Sequence, residues 1–343
     1  MKVTIRDVAE RAGVSAATVS RVLNRPELVE VETRDKVRQA MEALDFRPNA
    51  LARGLSGNLT RTIGLVVPGI TDFFFNEVYA GIEQATREYG MKVLVFDAEH
   101  SRHRALEAFT FLHQHQVDGI IFTSKLVTPD YDAVLERIGI PVALVLTQST
   151  GRVPLPAFKV DDVKAVFDGV SYLVSRGHRS IGMLAAGLDD EMTGRQRHEG
   201  YVSAMQHYQL PFDERYVEFG DYRFNDGYTA MQRLLGKQSE LKLTAVVCAS
   251  DEMALGAVRC LYDNGFHVPD DISIMGFDDL SIASMGMPRL TTIRQPFKEI
   301  GAKAVEQLMK LIKEPRHSLS GVYYLPHQLV ERESVRTITG TLK

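Results

Sequence analysis

At 343 residues the chain is too long for one compact core and predicts two or three domains. Its 45% hydrophobic and 24% charged residues match an ordinary soluble protein, and no apolar run is long enough to span a bilayer. With no signal-peptide core at the N-terminus, a cytoplasmic location and no membrane partner are expected. The net charge of −4 is uneven: residues 1–60 hold ten Lys/Arg against eight Asp/Glu, the remainder 30 against 36. The small N-terminal segment is therefore the end less repelled by a polyanion. Cys248 and Cys260 offer neither a disulfide framework nor metal-ligand spacing and read as core fillers.

The first elements predict a helix-turn-helix. Ile5, Val8, Ala9 and Ala12 recur at helical spacing, and Gly13 follows where a helix takes its left-handed cap. Ser15 is placed to cap a second helix with the apolar stripe Val19, Val22 and Leu23. That helix would enter the major groove with Ala16, Ala17, Thr18, Ser20 and Arg21 outward. A third helix, from about Glu32 to Leu44, closes the core through Val37, Ala40, Met41 and Leu44; with Glu30 and Val31 at its start, the cap is expected to be weaker or supplied by Thr33.

The run D-V-A-E-R-A-G-V-S-A-A-T-V-S-R-V-L-N closely resembles the start of the lac repressor/galactose repressor family. The resemblance implies operator DNA as partner. Arg21 is the long donor suited to guanine or phosphate, and Ala16 and Ala17 occupy the family's base-reading positions, where small side chains reach only a thymine methyl. Thr4, Ser15, Thr18, Ser20, Asn24 and Asn49 are candidate phosphate contacts. Pro48 breaks the third helix, and Ala50–Gly57 resembles the family's hinge helix, with Leu55 as a wedge in the minor groove. Read from its residues alone, that stretch favours a plain linker.

From Arg61 onward, apolar strands alternate with amphipathic helices. Strands are expected at 63–67, 92–97, 119–123, 141–146, 180–185, 216–219, 245–249 and 273–278, with helices such as 76–89, 102–114, 197–207, 251–264 and 297–312 between them. This pattern means parallel sheets covered on both faces, divided into two of about five or six strands. Later strands at 290–294 and 322–332 suggest crossings back between the halves. The layout resembles that of periplasmic sugar-binding proteins. The expected organisation is an all-α head over 1–46, a hinge over 47–60, and two α/β subdomains. The first covers 61–160 plus about 291–320, the second 161–290 plus about 321–338. The chain carries no trailing leucine heptads like those of the family's tetramer-forming helix, so the resemblance implies a homodimer.

In open parallel sheets, ligands bind beyond the carboxyl ends of the strands. The segments found there are Thr71–Glu77, Thr193–Tyr201, Ser250–Gly256 and Asp278-Asp279. Three successive aromatics, Phe73 to Phe75, cannot all face the core, so at least one should line the cleft; the family pattern implies Phe74 and Phe75. It also implies Arg197, from R-x-x-G-Y, as the effector-gripping arginine, and Asp278 as the acceptor for a sugar diol. Thr147, Asp161, Thr193, Tyr222 and Ser250 complete the expected lining. Asp251, beginning a helix, reads as a cap. The effector class stays open among neutral sugars, sugar acids and sugar phosphates, Arg195 and Arg197 tolerating an acid, and a protein co-repressor is the alternative. No catalytic motif, metal cluster or cofactor cradle is present, so neither enzyme activity nor cofactor is expected. A periplasmic sugar carrier would share the body but lack the helix-turn-helix.

Overall fold

In the computed structural model of the chain, residues 3–24, 26–46, 59–124, 126–314 and 320–338 are described. The head consists of α1 (Ile5–Ala12), α2 (Ala16–Asn24) and α3 (Val31–Ala43). The Thr4 amide and hydroxyl both donate to Asp7, closing the start of α1. Gly13 ends it at φ 66°, and a Cβ there would meet nothing within 4 Å, so conformation rather than space demands glycine. Ser15 Oγ accepts from Thr18 N at 3.1 Å, as its spacing predicts. Val8, Ala9, Val19, Val37 and Ala40 form the core, with Val22, Leu23, Met41 and Leu44 packed around it. Of the two expectations for the start of α3, the weaker cap holds: the helix begins at Val31 with Glu30 as its boundary residue and no side-chain cap hydrogen bond, and Thr33 lies inside the first turn. Asn49, Leu55 and the expected hinge helix fall outside the described residues.

The body is built from two six-stranded sheets. Chain order gives β1 (Thr62–Val67), α4 (Phe73–Glu88), β2 (Lys92–Asp97), α5 (Arg102–Gln114), β3 (Gly119–Phe122), α6 (Asp132–Ile138), β4 (Val142–Val145) and β5 (Pro156–Lys159). The second lobe follows with α7 (Asp162–Ser175), β6 (Ile181–Ala186), α8 (Gly194–His207), β7 (Val217–Gly220), α9 (Phe224–Leu235), α10 (Gln238–Leu241), β8 (Ala245–Cys248), α11 (Asp251–Asp263) and β9 (Ser273–Asp278). The chain then runs through β10 (Thr291–Arg294), α12 (Phe297–Lys313), β11 (Gly321–Tyr324) and β12 (Gln328–Val330). Strand order is β11-β5-β4-β3-β1-β2 in the first sheet and β12-β10-β9-β8-β6-β7 in the second. All pairings are parallel except β10 with β12.

The pairings move two expected boundaries. Thr291–Arg294 lies in register with Met275–Asp278 and stays in the second lobe; Gly321–Tyr324 lies in register with Pro156–Lys159 and belongs to the first. The chain therefore crosses between lobes after Lys159, near Gln295 and near Leu325, rather than at 291 and 321. β5 itself lies between the expected strands 141–146 and 180–185, where no strand is expected.

Central strands β1, β3, β4, β6 and β8 are buried almost throughout, because helices cover both faces of each sheet. Each fully buried Leu, Ile or Val there contributes about 1.5–3 kcal/mol. Both cysteines are buried and unbridged, as expected. In the second lobe α9 and α11 pack so closely that a Cβ on Gly256 would sit 2.1 Å from the Phe224 carbonyl oxygen. Gly256→Ala must push the two helices apart and is expected to cost about 1–3 kcal/mol. Urea denaturation measures it; an unchanged midpoint would contradict this packing.

Candidate DNA-binding surface and effector cleft

On the head, Ala16, Ala17 and Arg21 are exposed along α2, and Thr18 and Ser20 are half-buried beside them. The first turn of α2 carries no acidic residue, so no carboxylate there opposes an approaching anion. The hydroxyls of Ser15 and Thr18 lie 2.9 Å apart, and that of Thr4 is given to Asp7. These three side chains therefore serve the helix termini while remaining at the surface.

In the body, the strand ends converge on Arg197, which is only 3% exposed. Its Nε donates to Asp162 Oδ1 at 2.8 Å, its Nη1 to the Ala249 carbonyl at 2.5 Å, and its Nη2 lies 3.6 Å from Asp278 Oδ1. The guanidinium lies 3.8 Å from the centroid of the Phe277 ring. Burial works against this charge, but Asp162 and Asp278 outweigh it and hold the arginine firmly protonated. Asp162 also binds Lys159, whose Nζ is 3.0 Å away and donates to the Met192 carbonyl and to Gln196 Oε1. Lys159 is 1% exposed, so this lysine of the first lobe is enclosed by groups of the second.

Asp278 sits at φ 112° and Asp279 at φ 55°, strained for side-chain-bearing residues. Burial pushes the Asp278 carboxyl up to about 6, although Arg197 and the Gln295 amide, donating at 2.7 Å, pull it back. Tyr222 donates its hydroxyl to Asp190, as does Thr193 at 2.6 Å. Burial, reinforced by the Asp190 charge, raises the Tyr222 phenol and keeps it protonated. Across the cleft, Arg223 of the second lobe binds Asp72 of the first and lies 3.5 Å from Glu252.

Arg197, Asp278, Tyr222 and Thr193 are thus brought together as the sequence predicts. Other expectations are corrected. Phe75 belongs to the first-lobe core and stacks on Tyr79; Phe74 is half-buried against Phe297, and Phe73 is the exposed ring. Thr147 has no exposed surface because β4 and its neighbours enclose it. Asp161 caps α7 through Lys164 N, and the next residue, Asp162, is the one that reaches Arg197. Ser250 caps α11, accepting from Met253 N while donating to the Tyr222 carbonyl. Asp251 is no cap: wholly buried, it accepts from Thr292 Oγ1 and Leu280 N, pinning a loop whose Leu280 enters the first-lobe core. Arg195 is exposed and donates to the Leu188 carbonyl. Lys159, Asp162, Asp190 and Gln295 escaped the sequence reading; only the doubled Asp161-Asp162 at the expected lobe division hinted at one of them.

A family model described as bacterial regulatory proteins, lacI family, matches residues 4–49, and one described as periplasmic binding proteins and sugar binding domain of LacI family matches residues 60–328. The chain belongs to the LacI family. This LacI-family member is a DNA-binding transcriptional regulator, not an enzyme. It is 36% identical to catabolite control protein A of Priestia megaterium, across 98% of this chain and all of that one. To the transcriptional repressor CytR of Escherichia coli K12 it is 35% identical, covering 98% of this chain and 97% of the relative. Among solved structures, the lac repressor dimer bound to operator and the anti-inducer ONPF matches with TM-score 0.86 and 30% identity over 98% of this chain and all of that one. The regulator CelR in complex with cellobiose matches at 0.73 and 28%, over 97% and 99%. Among the described residues of the regulator, no helix is long and apolar enough to cross a membrane.

A carboxyl that titrates near 6 in the fold and near 3.8 when unfolded stabilises the protein at low pH, a contribution lost as pH rises through 6. Asp278→Asn removes that loss. The variant is expected to melt above wild type at pH 7.5, with the gap closing as pH falls below 4. A variant melting lower at pH 7.5 would show that pairing with Arg197 outweighs burial.

Proposed function

We propose that this regulator is a homodimeric repressor, acting in the cytoplasm, whose hold on a pseudo-palindromic operator is controlled by a small carbohydrate-type metabolite in the interlobe cleft. The observation that carries this reading is the attachment of the cleft's charged groups to all three crossings between the lobes. Lys159 and Asp162 flank the first crossing. Gln295, at the second, bonds Asp278. At the third, Leu325 N donates to the Lys159 carbonyl at 2.9 Å. A ligand that draws on Arg197 and Asp278 therefore pulls on the segments that set the angle between lobes, and so on the spacing of two DNA-binding heads.

The outer face of the second lobe supports a dimer. A cavity of about 470 Å³ is lined there by Phe224, Leu255, Tyr262 and Met287, and Met287 is 93% exposed. Apolar side chains bordered by Arg259, His267 and Asp270 suit a self-complementary contact with a second copy. Dimeric and operator-bound states belong to the lac repressor, and a sugar ligand to CelR, by their own descriptions. On the head, Arg21 is proposed to contact base or phosphate, with Ala16 and Ala17 against the groove floor; Asn24, Asn49 and Leu55 complete the proposed interface.

Operator affinity measured by fluorescence anisotropy, at fixed salt and with a panel of sugars, tests the reading. One compound is expected to shift affinity about tenfold. Arg197→Ala is expected to abolish that shift while leaving operator binding intact, since Asp162 keeps Lys159 as partner. DNA binding that no compound moves would favour a protein co-repressor, and loss of operator binding in the variant would contradict the assignment of Arg197.

A further inference from the structure

The three buried or half-buried cations of the cleft are already spent. Arg197 engages Asp162, the Ala249 carbonyl and Asp278 through three of its nitrogens, and Phe277 covers its face. All three ammonium protons of Lys159 have acceptors, in Asp162, Met192 and Gln196. Arg223 is held between Asp72 and Glu252. Arg195, the remaining arginine of the α8 turn, is exposed and turned to the Leu188 carbonyl.

Carboxylates outnumber these cations. Against Lys159, Arg197 and Arg223 stand Asp162, Asp278, Asp190, Asp72 and Glu252. Asp162 and Glu252 are close enough to Asp278 to disfavour its charge. A carboxylate or phosphate entering here would have to break the Asp162–Arg197 pair to find a partner, and would bring a further negative charge beside Asp278. Hydroxyl and ammonium hydrogens meet the opposite situation: an acceptor at Asp278 in a site poor in free donors, Asp190 being taken by Tyr222, Thr193 and Met192.

We infer that the cleft selects effectors without negative charge, taking neutral polyhydroxylated or ammonium-bearing ligands and rejecting sugar acids and sugar phosphates. The inference rests on the cleft being the effector site. Arg197 then acts mainly as the buried counter-ion that orients Asp162 and Asp278, rather than as a receptor for an anion.

Calorimetric titration of the full chain at pH 7.5 and constant ionic strength tests this with matched ligands: glucose, glucosamine, glucuronate and glucose 6-phosphate, and ribose with ribose 5-phosphate. In each set where a member binds, the uncharged or ammonium form is expected to bind at least tenfold tighter than the acid or phosphate. An acid or phosphate that matches its parent overturns the inference. A second arm needs no sugar and uses inorganic phosphate as probe. Wild type is expected to show no saturable binding, and Asp278→Asn to gain affinity at least tenfold over wild type. Wild-type phosphate binding that disappears in Arg197→Ala overturns the proposal, as does a variant as indifferent as wild type. If the variant gains phosphate while no sugar binds wild type, the charge rule stands and the carbohydrate reading of the site falls.

Discussion

The rest of the body depends on one carboxylate. Asp162 stands between Lys159 and Arg197, all three nearly sealed from solvent. Removing a charge from water costs several kcal/mol, so neither cation could remain there alone. A buried ion pair of this kind contributes little net stability, yet breaking it is expensive, at about 3–5 kcal/mol for loss of one partner. Such an arrangement fixes geometry. It joins the last residue of β5, in one lobe, to the first turns of α7 and α8 in the other, so the relative placement of the lobes and the orientation of the Arg197 fork are set together.

From this pair the charge network spreads outward through both remaining crossings. Asp278, in strained backbone and reluctant to ionise, is steadied by Gln295; Asp251, buried beneath it, anchors the loop that carries Leu280 into the first-lobe core. Burial raises the Asp251 carboxyl well above its usual range, with Asp278 adding to the effect and the Thr292 and Leu280 hydrogen bonds opposing it. Strain and unfavourable ionisation concentrated at one cleft support the binding role proposed for it. The apolar cores on either side, with helices crossing at backbone contact, supply the rigidity that the proposed allosteric reading requires.

Much of this was legible in the sequence because it is local. Helical spacing of Val8, Ala9 and Val19, the glycine at 13 and the serine at 15 specify the head directly. Continuous apolar runs mark the central strands, and the family resemblance carries Arg197 and Asp278 through short motifs at strand ends. The failures share a physical cause, since they depend on pairings between distant residues. β5 contains a proline and ends in a lysine, so it reads as a loop until Tyr323 and Tyr324 are seen beside it. Lys159 reads as a surface charge, because Gln196 and Met192, which enclose it, lie more than 30 residues away. Sequence order likewise does not reveal that Thr291–Arg294 extends the second sheet. Of the three adjacent phenylalanines, the choice of which turns inward follows from the rotation of α4 against α12, which no local pattern encodes.

The central claim is that cleft and operator are two ends of one equilibrium. It is tested most directly by measuring the affinity of the tightest-binding panel compound for the full chain, free and then saturated with operator duplex. The account predicts that operator changes that affinity by the same factor, and in the same direction, as the compound changes operator affinity. Identical affinities with and without DNA would contradict it.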